Sequence, residues 1–125
     1  MTAPQRIQLR RAKGWRKPAG TIVVARPTRW GNPYRVVTHT ERDCSGWAVL
    51  RPDRSVIACY PNDRAALAYR LAVELYRNRV VGAWRPQQRD AMRAELAGHE
   101  LACWCPLDQP CHGDVLLKLA NGPAS

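Results

Sequence analysis

Three cysteines and a histidine crowd one twelve-residue stretch, Cys103-Trp-Cys-Pro-Leu-Asp-Gln-Pro-Cys-His-Gly-Asp114. Thiolate and imidazole are side chains that ligate metals and also do nucleophilic or acid–base work near neutral pH. Three readings of the stretch are open. In the first, Cys103, Cys105, Cys111 and His112 form a Cys₃His set suited to tetrahedral zinc. Its spacing is unusual, because only one residue separates the first two cysteines and two adjacent residues must both ligate. In the second, Cys105 or Cys111 is a nucleophile, His112 an acid or base, and Asp114 the group that orients it. A cysteine at a helix start feels the positive end of the helix dipole, and free backbone N–H groups there hold phosphate or carboxylate. In the third, the cysteines pack as small hydrophobes and His112 only bonds within its loop.

A second stretch, Arg26-Pro-Thr-Arg-Trp-Gly-Asn-Pro33, has the composition of a shaped loop that meets an anion. Arg26 and Arg29 can clamp phosphate or carboxylate in a fork. Trp30 can stack on a base, Gly31 permits close backbone approach, and Asn32 can read a base edge or a ribose hydroxyl. The competing reading makes Trp30 a core plug and the arginines solvated.

The elements that must position these loops follow from pattern. Ile7–Leu9 alternates as a short edge strand. Thr21–Ala25 is a continuous β-branched run, expected for a strand buried on both faces, and Pro27 ends it. Trp47–Leu50 and Ser55–Cys59 flank a turn and read as a hairpin, with Cys59 in the core. A helix starts from Asn62 or Asp63 and runs to about Asn78, with Leu67, Leu71 and Leu75 on its apolar face. A second helix opens on Pro86, ends near Gly98 and buries Met92 and Leu96. Leu101–Cys105 reads as a strand, and a last helix capped by Gly113 or Asp114 ends at Asn121-Gly122. Helices between 25 and 101 favour a parallel pairing of the strands at 21–25 and 101–105. Both loops then leave the same strand ends, where open α/β sheets bind ligands.

The expected fold is therefore a small single α/β domain over 1–125: a mixed sheet with a parallel strand pair, a β-hairpin and about three helices. Residues 1–5 and 122–125 are expected to be flexible ends. The 125 residues suffice for one core without disulfide staples. The five cysteines are an odd number, and the N-terminus lacks an apolar signal core, so a cytoplasmic protein is expected. No apolar run is long enough for a membrane span. The net charge is +10, and residues 1–36 carry nine Lys or Arg and no acid. With Trp15 and Trp30 among them, these cations point to a nucleotide or nucleic-acid partner.

The Arg-Pro-Thr-Arg-Trp-Gly-Asn-Pro and Cys-Trp-Cys-Pro…Cys-His-Gly-Asp motifs together resemble an uncharacterised domain family found mainly in bacteriophages and actinobacteria. The resemblance spans roughly residues 6 to 121. It implies an α/β fold and a phage-related or actinobacterial setting, and it brings no mechanism. The Cys-His pair also looks like the motif of a second uncharacterised α/β family, which has Arg where this chain has Gly113 and lacks the Cys-x-Cys pair. The expected function is an enzyme acting on a nucleotide, nucleobase or nucleic acid, with phage-type nucleic-acid modification as the setting. The rival is a non-enzymatic basic nucleic-acid-binding module, with or without zinc. The sequence leaves the oligomeric state open.

Overall fold

The structure, a computed structural model, describes residues 4–41 and 44–122. Its elements in chain order are β1 (Arg6–Gln8), β2 (Ile22–Val23), β3 (Arg35–Glu41), β4 (Cys44–Leu50), β5 (Val56–Tyr60), a 3₁₀ turn (Asn62–Arg64), α1 (Ala65–Gly82), α2 (Pro86–Leu96), β6 (Leu101–Cys103) and α3 (His112–Asn121). The expected α/β class, parallel pair, hairpin and three helices are all present, divided between two three-stranded sheets.

The first sheet is wholly parallel, in the order β1-β6-β2, so the last strand enters between the first two. Leu101, Ala102 and Cys103 are all buried, as a central strand covered on both faces requires. The ladder outruns the strand assignments: Val24 N–H donates to Ala102 O at 2.9 Å and Leu9 N–H to Cys103 O at 2.9 Å. The C-terminal ends of all three strands thus lie on one edge. α1, α2 and α3 pack on this sheet through Tyr76, Val80, Met92, Leu96 and Leu116. Met92 and Leu96 are buried as expected.

The second sheet is antiparallel, β3-β4-β5, and gathers a smaller cluster around Val49, Ala68 and Ala72. Strand β3 lay in a stretch given no assignment from sequence, although Val36, Val37, Thr38 and Thr40 are β-branched. Cys59, expected in the core, is exposed on the edge strand β5, and it is disulfide-bonded.

Helix α1 bridges the two clusters, and this shifts its buried face. Ala68, Ala72, Tyr76 and Val80 are fully buried, one position on from the expected Leu67, Leu71 and Leu75. Ala68 and Ala72 meet the second cluster and Tyr76 and Val80 the first, while Leu71 and Leu75 rest half-buried against the second cluster. The helix also runs to Gly82, beyond the expected end near Asn78. The ends expected to be flexible lie, for 1–3 and 123–125, outside the described residues. Within them, Gln5 O accepts from Leu101 N–H and Gly122 N–H donates to Lys118 O.

Candidate functional site

The two motif loops meet. A cavity of about 280 Å³ opens at the C-terminal edge of the parallel sheet. Arg26 and Asn32 line it from the first loop, and Cys103, Cys105, Cys111 and His112 from the second. Tyr69, Ala72 and Val73 of α1 and Tyr34 and Val36 close the side toward the antiparallel sheet.

Helix α3 begins two or three residues earlier than expected. Cys111, not Gly113 or Asp114, is its N-cap: the chain there is extended, at φ −145° and ψ 148°, and Sγ accepts from Gly113 N–H at 3.5 Å. Asp114 completes a capping box by accepting from Cys111 N–H at 3.2 Å. The switch from extended to helical backbone lets two adjacent side chains turn inward together. Cys111 is 1% exposed and His112 5%. Their Sγ and Nδ1 atoms lie 3.6 Å apart.

His112 is oriented by backbone. Its Nε2 lies 2.7 Å from Val24 O, a carbonyl that can only accept, so Nε2 carries the proton and the Nδ1 lone pair faces the sulfurs. Burial keeps the imidazole below its ordinary pKa, which favours this neutral form. The Tyr76 ring stands edge-on to His112 at 5.1 Å, and its hydroxyl donates to Trp30 O at 2.9 Å.

Asp114 does not orient His112. One carboxylate oxygen takes the capping bond and the other accepts from Arg6 Nε at 3.0 Å. Arg6 is the site residue that the sequence reading passed over. Its side chain is 7% exposed, and its terminal nitrogens donate to the carbonyls of Cys105, Pro106, Leu107 and Gln109 at 2.8–3.3 Å. One guanidinium from β1 therefore shapes the whole loop between β6 and α3. Gly113 makes room for it: a Cβ there would lie 3.3 Å from Arg6 Cδ.

The three sulfurs form one group. Cys103 Sγ and Cys105 Sγ are 3.7 Å apart. Hydrogen bonds from the Cys105 and Cys111 thiols draw the Cys103 pKa far down. Bonding to Cys103 pushes Cys105 up to about 11 and Cys111 higher still. Cys105 is half-buried, whereas Cys103 and Cys111 are buried.

Arg26 stands across the cavity from them. Its Nη1 donates to Asn32 O at 2.6 Å and to Tyr34 O at 3.3 Å. Among the described residues, Nε and Nη2 make no hydrogen bond. Desolvation first, and Arg35 next, lower the pKa of this guanidinium, while Cys103 and Cys105 act to raise it. Gly31 allows the arrangement, since a Cβ there would come within 2.8 Å of Arg26 Cγ. Asn32 is largely committed to structure: its amide nitrogen donates to Ala72 O at 3.1 Å and its oxygen accepts from Tyr34 N–H at 3.0 Å.

The rest of the first loop faces elsewhere. Arg29, Trp30 and Gly31 line a second cavity of about 350 Å³ with Trp84, Arg79 and Gln88. Trp30 is buried and tilted against Trp84 at 5.9 Å, and Arg29 lies over the Trp30 ring at 4.5 Å and pairs with Glu95. The residues expected to hold a substrate are thus split, Arg26 and Asn32 to one cavity and Arg29, Trp30 and Gly31 to the other.

Residues 7–122 match DUF4326, a domain of unknown function. The chain belongs to that family. No curated protein and no solved structure matches it. No helix among the described residues is long and apolar enough to cross a membrane.

Proposed function

We propose that the protein is an enzyme acting on a nucleotide, a nucleobase or a nucleic-acid segment, with the reacting moiety seated between Arg26 and the Cys/His group. A single observation carries this reading: a guanidinium with free donors and a cluster of thiols and imidazole share one cavity at parallel strand ends. Arg26 has Nε and Nη2 for a phosphate oxygen pair, the forked geometry that arginine offers. Trp104 lines the same cavity, is 44% exposed, and carries Arg11 at 4.6 Å over its ring. Its open face can take a base, and Arg11 beside it can meet a flanking phosphate. Cys105, the half-buried cysteine of the three, lines this cavity together with Cys111 and His112. A place in phage-type nucleic-acid modification is part of this reading.

The test is calorimetric titration with nucleoside mono- and triphosphates and with short single-stranded DNA and RNA, at two salt concentrations. Saturable binding that Arg26→Gln weakens tenfold or more is the expected result. Turnover of a bound nucleotide that Cys105→Ser abolishes then makes it an enzyme. Binding that falls steeply with salt and ignores Arg26→Gln favours the non-enzymatic basic module. No binding of any of these ligands overturns both.

A further inference from the structure

We infer that Cys103, Cys111 and His112 Nδ1 are three ligands of a zinc ion and that Cys105 is its exchangeable fourth. The argument is geometric and stands whether or not a nucleotide binds. Zn–S bonds of about 2.3 Å and Zn–N bonds of about 2.0 Å set tetrahedral edges of about 3.8 Å between sulfurs and about 3.5 Å between sulfur and nitrogen. Cys103 and Cys105 are 3.7 Å apart at sulfur, and Cys111 Sγ and His112 Nδ1 are 3.6 Å apart. The ligand atoms of Cys103, Cys111 and His112 all lie within 4.8 Å of one another. Cys105 lies outside that set of three and joins it through its 3.7 Å contact with Cys103, the place of an exchangeable fourth ligand.

The sequence spacing argued against such a site on two grounds, and the backbone removes both. The one-residue gap works because Cys103 ends β6 and Cys105 lies beyond it, in the loop that Arg6 folds back over the strand end. The adjacent pair works because Cys111 is an extended N-cap and His112 the first helical residue.

The surroundings fit a metal centre. His112 Nε2–H donates to Val24 O, which fixes the tautomer with Nδ1 as the free donor; metal-bound histidines are held this way. A Zn²⁺ with three thiolates and a neutral imidazole bears a net charge of −1, and the guanidiniums of Arg26 and Arg6 act on these sulfurs electrostatically. Zinc uptake displaces the remaining thiol protons to solvent, so each Zn²⁺ bound releases protons and affinity rises with pH. Three ligands are buried and rigidly placed. Cys105 is half-buried and faces the cavity, where its departure would open one metal position toward whatever Arg26 holds.

The experiment begins with full-length protein purified under reducing conditions without chelator. About one zinc per chain is expected, and stripped protein should take zinc back from micromolar solution with proton release. Cys103→Ser and Cys111→Ser should each lose the metal. Cys105→Ser should retain it and yield it to a competing chelator at least tenfold faster. In the cobalt-substituted protein, that variant should lose one thiolate's share of the sulfur-to-metal charge-transfer absorption. Wild-type protein that is folded, has Cys103, Cys105 and Cys111 as free thiols and takes up less than a tenth of an equivalent overturns the proposal, whatever the variants do. Metal lost completely from Cys105→Ser overturns the assignment of Cys105 as exchangeable. Zinc bound without nucleotide binding overturns only the proposed function, and nucleotide binding without zinc overturns only this site.

Discussion

The Arg26–Pro33 loop has two faces, and each borders a cavity lined by arginine and aromatic rings. On one side Arg29 is paired with Glu95 and lies on Trp30, while Trp30 O accepts from the buried Tyr76 hydroxyl. Those groups already have partners. On the other side Arg26 keeps two donor nitrogens free among the described residues, opposite sulfurs that bond chiefly to one another. Cavity size does not separate the two, and neither does composition. What separates them is whether the polar groups are satisfied, because an unsatisfied group in a partly desolvated place gains most from a ligand.

The comparison can be broken from either side. Arg6→Ala should have the largest effect, because it strips four loop carbonyls and one carboxylate of a donor that is almost wholly buried. A loss of about 2–4 kcal/mol is expected in urea unfolding. A loss below about 1 kcal/mol would mean that the Cys/His loop holds its shape without Arg6. Gly31→Ala comes next, at about 1–3 kcal/mol, since the new methyl collides with Arg26. It should also weaken ligand binding at the first cavity, although Gly31 lines the second. Tyr76→Phe leaves Trp30 O without its donor and should cost about 1–2 kcal/mol by thermal or urea melting. Arg29→Ala should change stability by less than about 0.5 kcal/mol, because its ion pair is exposed. An Arg29 effect on nucleotide affinity as large as that of Arg26 would erase the distinction between the two faces.

Much of this arrangement was legible in the sequence, for definite reasons. The run at 101–105 announced the buried central strand, and the helices before it favoured a parallel pairing. The run at 21–25, expected to be covered on both faces, instead forms an edge strand with Ile22 and Val23 half-buried. Whether the two loops meet was left open by the sequence. Pro86 marked α2 and its Met92–Leu96 core. Periodicity failed on α1, because the most hydrophobic stripe is not the most buried one when a helix lies between two sheets and small residues set the close approach. Trp30 illustrates another limit: an aromatic in a basic loop looks the same whether it stacks on a base or plugs the core. Asp114 was read as serving its neighbour His112, yet its oxygens go to Arg6 and to the helix start. Arg6 itself gave no local signal, as one cation in a basic run whose partners lie about a hundred positions away.

The order β1-β6-β2 has a kinetic meaning. The second sheet, residues 35–60, pairs neighbours in sequence and can close its short loops early. The parallel sheet cannot, because β1 and β2 both pair with β6, a strand that emerges only at residue 101. Loop-closure entropy puts that step late. During synthesis the strands at 6–8 and 22–23 wait with open edges, and Arg6 waits for carbonyls not yet made. The cysteine–histidine pocket should therefore be among the last parts of the protein to form, and a chain interrupted before Leu101 should hold the antiparallel sheet without that pocket.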